Sequence, residues 1–279
     1  MSESIVSSAT LVLPNAKKAL NLGVKSWFIV ALFGQWAFAL YVLTIYTLTA
    51  FYNLDVTKFS PSPNLKHATG HVLLVFFAHV LPAVYLSMFG ALQLVPNIRN
   101  KYPRFHRING RLFLLFGLTG ALTGLYLQWS KGWQTNTAAS LGITLNGLLI
   151  IVAVAFAWRF AVKKRFELHK RAAVHAFFLV NGVWTFRLYL MGWYFVNQGP
   201  NGNTSNIDGP MDIFLSFACY LLPMLIAELY FWAQKQRIVS RIWISTAAIT
   251  SGALITLIGV FAAVMMMWTP RIINVLGAI

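Results

Sequence analysis

Residues 102–130 read YPRFHRINGRLFLLFGLTGALTGLYLQWS. Arg104, Arg107 and Arg111 come first, with His106 among them, and the following run to Trp129 carries no charge. At 1.5 Å per residue an uncharged run of this length covers close to 30 Å, the thickness of a bilayer's hydrocarbon core. The stretch therefore reads as a basic anchor leading into a membrane span. It also raises a chemical question: does His106 only sit in a basic interfacial loop, or does it belong to a site?

The same pattern recurs along the chain. Of 279 residues, 58% are hydrophobic and 10% charged, against about 45–50% and 25% in an ordinary soluble domain. Apolar runs predict an all-α integral membrane protein with seven transmembrane helices at about 27–51, 68–95, 112–130, 141–161, 173–196, 212–233 and 242–268. Residues 1–26 would form a cytoplasmic N-terminal segment and 269–279 a short outer tail. The first run is about twice the length of a signal-peptide core and is read as a retained helix.

Charge sets the expected orientation. The loops on one side hold Lys17, Lys18 and Lys25, then five cations from Arg99 to Arg111, six from Arg159 to Arg171, and Lys235, Arg237 and Arg241. The other side holds only Lys58, Lys66, Lys131 and Arg271. By the positive-inside rule the N-terminus is cytoplasmic and the C-terminus outside. This asymmetry also accounts for the net charge of +16, so no nucleic-acid partner is expected. The inner cations would face anionic lipid. The expected location is a bacterial inner membrane.

Several function classes drop out. Cys219 is the single cysteine, which excludes an intramolecular disulfide and a cysteine-ligated metal or iron–sulfur site. No inner loop is long enough for a nucleotide-binding fold, and no phosphate-binding glycine motif is present. The seventh span has no lysine for a retinal.

Polar residues inside a span are costly and therefore mark function. Depth divides them into two layers. His79 and Arg187 lie roughly 24 Å and 21 Å from the inner ends of their spans, at similar depth in the middle or outer half. His71 lies above them. His106, His169, His175 and Glu228 lie near the inner face. His79 precedes Pro82, which loosens its turn of helix. Arg187 stays charged and has no carboxylate at its depth, so it calls for an anionic group, a set of carbonyls or a watery cavity. His175, Gly182, Phe186, Tyr189 and Trp193 share one face of a straight helix, which suits packing or a flat ring. Gly117, Gly120 and Gly124 allow close helix approach.

Histidine is both the commonest metal ligand and a proton shuttle. His169 and His175 are six residues apart and cannot ligate one metal from one straight helix. With His106 they could converge from three inner ends, beside Glu228. The outer side offers His67, His71 and His79 on a single helix, so two bis-histidine haems are excluded and one haem is conceivable.

The strings FAHV (77–80), GALQLVPNIRNKYPR (90–104) and HRINGRLFLLFGLTGALTG (106–124) together resemble a large family of bacterial predicted membrane proteins of unknown function. The resemblance covers about residues 65–195 and falls on His79, Gln93, Arg99, His106, Arg107, Gly110, Arg111, His169, Arg171 and Arg187. The family usually has Trp-Met after its downstream histidine, where this chain has Arg171-Ala172. The resemblance implies a multi-pass bundle and no particular reaction.

Three functions are open at this point. The favoured expectation is a histidine-lined intramembrane site for haem b or a transition metal, in electron transfer with quinone, which would make the protein a membrane oxidoreductase. In it His79 and Arg187 hold cofactor or quinone, His106, His169 and His175 serve as inner ligands, and Glu228 and His71 relay protons. The second is a proton-coupled transporter of a small anionic or amphipathic solute. The third is a structural or assembly subunit with other membrane subunits as partners.

Overall fold

The structure, a computed structural model, describes residues 2–62, 65–66, 68–130 and 137–279, with side chains from Leu13 onward except Thr137. It is all-α, with no strand among the described residues. The helix α1 (Ser2–Val42) runs through a π-helical turn, Leu43–Leu48, into the short α2 (Thr49–Phe51). A single 3-10 turn, Val56–Lys58, lies in the loop that follows. Next come α3 (Gly70–Phe89), α4 (Pro96–Lys101), α5 (Pro103–Trp129), α6 (Thr137–Val162), α7 (Phe166–Val180) and α8 (Gly182–Asn197). The chain finishes with α9 (Pro210–Gln234), α10 (Val239–Ala263), a second π-helical turn at Val264–Trp268 and α11 (Thr269–Leu276).

Six helical segments are long and apolar enough to cross a membrane, and the bent pair α7–α8 makes a seventh if taken as one span. In lipid every backbone polar group needs an internal partner, which is why apolar runs of this length become helices. α1 packs along α10, α3 along α5, α6 along α7, and α8 along α10. Large apolar side chains such as Ile29 (66% exposed) and Ile244 (67% exposed) point away from the bundle, as lipid-facing residues do.

Three sequence expectations change here. The first helix is already formed well before residue 27, with its membrane-length portion beginning at Leu13. Residues 103–111 are the first turns of α5 and not a loop. Pro103 at the first helical position starts that helix, where its missing N–H costs nothing, and the preceding Tyr102 is held out of the helix.

The third change concerns the fifth span, which is broken. α7 and α8 meet at Asn181 with a 54° bend. The Asn181 side chain donates to the Phe177 carbonyl at 2.8 Å and accepts from Gln35 Nε2 on α1 at 2.8 Å. The side chain thus supplies a local hydrogen bond that competes with the helical ladder and pins the elbow to α1. The straight stripe expected from His175 to Trp193 is consequently split between two helix directions. Asn-Gly is a turn signal, and Asn181-Gly182 marks this break in the sequence.

Candidate functional site

Seen from the elbow, the chain encloses a cavity of about 170 Å³. Its walls come from α1, α3, α5, α6 and the two halves of the broken span. His79 and Arg187 both line it, with Tyr41, Tyr46, Asn146 and Asn181. The two residues placed at one depth by residue counting therefore face one space.

His79 sits between α3 and α5. Its Nδ1 lies 3.0 Å from the Gly120 carbonyl and 3.1 Å from Thr123 Oγ1. A carbonyl can only accept, so Nδ1 carries the proton. Thr123 donates its own hydroxyl to the Thr119 carbonyl at 2.6 Å, and so accepts from the ring. This tautomer leaves Nε2 as the atom able to accept a proton. Gly124 allows the approach: a Cβ there would lie 2.9 Å from His79 Cε1. A Cβ at Gly120 would meet nothing within 4 Å, because that residue opens onto the cavity.

Arg187 hangs from α8. It donates to the Val183 carbonyl at 3.1 Å and lies over the Phe38 ring at 5.6 Å. No ion pair compensates it among the described residues. Two acids on the membrane helices, Asp212 and Glu228, are engaged elsewhere. Asp212 is buried, receiving Asn203 Nδ2 at 2.6 Å, the Thr204 amide at 3.0 Å and the Gly209 amide at 3.1 Å. Glu228 receives Arg171 and His175. Two further polar atoms in the cavity walls, Tyr41 Oη and Asn146 Oδ1, are buried with no partner. Tyr41 is 1% exposed. The N-terminus of α8, with its positive end of the helix dipole, also borders the space.

Tyr41, Tyr46 and Asn146 were not singled out from sequence. Asn146 is polar within a span and could have been; the tyrosines look like ordinary core aromatics.

The remaining histidines have separate partners, although His106 and His169 are near enough to feel each other's charge. His175 Nε2 lies 2.5 Å from Glu228 Oε1, and Arg171 Nε donates to the same oxygen at 2.7 Å while its Nη2 reaches Oε2. His175 Nδ1 is buried without a partner. His169 Nδ1 meets the Ala157 carbonyl on α6 at 2.9 Å. His106 Nδ1 receives the Gln93 amide at 3.0 Å, when that amide is turned so that its oxygen accepts from Asn109 Nδ2 and the Gly110 amide. Among the described residues no group of three or more His, Cys, Asp or Glu gathers at metal-binding spacing. His106, His169 and His175 therefore do not form the expected ligand set, because each is held by a different element. His71 stands apart from Glu228, its ring edge-on to Tyr126. His67 lies outside the described residues.

The Gly-x-x-Gln and His-Arg-x-x-Gly-Arg strings acquire a structural meaning. Gln93 bridges His106, Asn109 and Gly110, and Tyr85 Oη donates to Asn109 Oδ1 at 2.7 Å. A Cβ at Gly110 would come 3.0 Å from the Gln93 side-chain amide. These residues tie the end of α3 to the start of α5.

A family model described as Predicted membrane protein (DUF2306) matches residues 76–231. The chain belongs to this family. The DUF2306 match begins near His79 and extends past Glu228, so it takes in His79, Arg187 and the Arg171–Glu228–His175 cluster. It reaches further toward the C-terminus than the resemblance read from the motifs. The family is one of membrane proteins of unknown function. No curated protein and no solved structure matches the chain.

Proposed function

We propose that this DUF2306 protein binds a small organic anion inside the membrane and carries it between the two faces. The observation that carries the proposal is Arg187: a guanidinium on the wall of a cavity, without an acidic partner, beside the unpartnered Tyr41 hydroxyl. A cation in lipid is costly unless something of opposite charge joins it. A cavity of about 150 Å³ accepts one benzene ring, so a space of about 170 Å³ suits a single ring bearing a carboxylate. The broken span supports carriage, because interrupted helices with a half-helix N-terminus at the binding site recur in carriers. His79 Nε2 would take up a proton with the anion and release it on the other side. The basic loops at the opposite end would rest against anionic lipid.

Haem and metal ligation find less support. Among the described residues His79 is the single histidine lining the cavity, its volume is that of one ring, and the inner histidines have separate partners. A neutral quinone head is the second candidate, since the Tyr41 hydroxyl could donate to one of its carbonyls; it leaves the Arg187 charge unmatched.

Benzoate is the probe of the right size and charge. Titrated into the purified protein, it should bind at one site, as read by calorimetry, and Arg187→Gln should weaken it. Labelled benzoate should also enter proteoliposomes. Binding and uptake that are untouched by Arg187→Gln would sink the proposal.

A further inference from the structure

A second basin of about 360 Å³ opens at the end of the bundle away from the basic loops. It is lined by Lys58, Phe59 and Ser60 from the turn after α2, and by Pro270, Arg271 and Asn274 from the start of α11. It brings together two of the few cations at this end of the molecule. No carboxylate lines it, and neither cation forms an ion pair among the described residues. Asp55 is close enough to feel the Lys58 charge but forms no ion pair with it, and its Oδ1 accepts from the Thr57 amide at 3.0 Å and the Thr57 hydroxyl at 2.7 Å. Among the described residues Arg271 donates only to the Met267 carbonyl, at 3.2 Å.

This basin touches the deep cavity. Tyr46 lines the cavity, and its hydroxyl meets Ser60 Oγ of the basin at 3.0 Å. The next residue, Pro61, lines the cavity while Ser60 lines the basin. The cationic basin thus adjoins the Arg187 chamber, with one hydrogen bond in the shared wall.

We infer that Lys58, Arg271 and Asn274 form an oxyanion-binding site in this basin, a mouth that captures the carboxylate of the solute and passes it to Arg187. This rests on the proposed function for its second step. Two cations at a mouth raise the local anion concentration and the association rate by about 10-fold or more, an effect that salt suppresses. The amide of Asn274 adds directional donors that a diffuse positive surface lacks.

The test uses the full-length protein in detergent, with benzoate as the anion. A water-soluble acylating ester modifies Lys58, and peptide mass spectrometry follows the rate, with Lys101 at the basic end as internal control. Benzoate should slow acylation of Lys58 at least threefold and leave Lys101 unchanged. The protection should persist in Arg187→Gln, where the deep site is disabled, and vanish in Arg271→Gln. By stopped-flow, Arg271→Gln should slow benzoate association about tenfold at low salt and flatten its dependence on ionic strength. The mouth site is overturned if benzoate does not protect Lys58, or if Arg271→Gln leaves protection intact. Delivery is overturned if Arg271→Gln leaves the association rate unchanged. Protection of Lys58 without any Arg187-dependent binding would uphold the mouth site and reject the carrier.

Discussion

His79 and Arg187 line the same cavity from different helices, one on α3 and the other beyond the break on α8. The imidazole is fixed by Gly120 and Thr123, while the guanidinium has, among the described residues, only a backbone carbonyl and a ring face. A fixed base beside an uncompensated cation is an arrangement that a bound anion completes.

Arg187→Met separates binding from folding. It keeps the unbranched stem of the side chain and removes a charge with no acidic partner among the described residues. A hydrogen bond to a charged group contributes about 1.5–3 kcal/mol, so benzoate affinity should fall roughly 10- to 100-fold. The thermal midpoint should hold or rise, since an unpaired charge no longer has to be accommodated. A lower midpoint would mean that Arg187 is a structural brace.

Two neighbouring glycines should respond oppositely. Gly124→Ala forces a methyl against the His79 ring, and overpacking of this kind costs about 1–3 kcal/mol. Gly120→Ala meets no atom, so stability should stay within about 0.5 kcal/mol of wild type while benzoate binding weakens as the cavity shrinks. Chemical denaturation with parallel calorimetry reads both.

At the basic end, Glu228 holds two partners of unequal worth. The Arg171 side chain is 59% exposed and that of His175 17% exposed. A double-mutant cycle should give a coupling below about 1 kcal/mol for Arg171–Glu228 and a larger one for His175–Glu228, because removing Glu228 leaves a buried ring nitrogen unmatched. Equal couplings would contradict this ordering.

Gln93→Leu tests the motif. It removes the bridge among His106, Asn109 and Gly110 and leaves buried polar groups unpaired, which costs about 1–3 kcal/mol. Benzoate affinity should not change, because Gln93 does not line the cavity. A loss of affinity at wild-type stability would return His106 to the binding site.

The turn that carries Lys58 should be acid-sensitive. Hydrogen bonds from the Thr57 hydroxyl and then the Thr57 amide hold the Asp55 carboxyl below its ordinary value, which is about 3.9. A lowered value in the fold means the cap stabilises the turn above the unfolded carboxylate's pKa and is lost as pH falls through the folded one. Hydrogen exchange of residues 55–60, corrected for intrinsic rate, should therefore be flat above about pH 4 and accelerate below it. Asp55→Asn should remove that dependence.

Much of the architecture is already written in the chain. Runs of about 20 apolar residues dictate spanning helices because lipid offers backbone groups no other partner. The cost of a charge in lipid singles out Arg187, and residue counting at 1.5 Å per step places it level with His79. The elbow at Asn181 was not expected, since the span reads as one straight helix, although an Asn-Gly pair within an otherwise apolar run marks it.

Which faces meet is another matter. Counting along a helix gives depth but not the rotation of one helix about its axis relative to the next. That rotation puts Gln93 against His106, sends His169 to the Ala157 carbonyl, and gives Glu228 to Arg171 and His175. It breaks up a histidine cluster that depth alone allowed. It also brings Tyr41 and Asn146 to the wall of the cavity that Arg187 lines, each with a buried polar atom that has no partner among the described residues. Sequence determined the span pattern and the costly residues, through hydrophobic length and the price of charge in lipid. Only the packing of the helices decided which of those residues share a chamber.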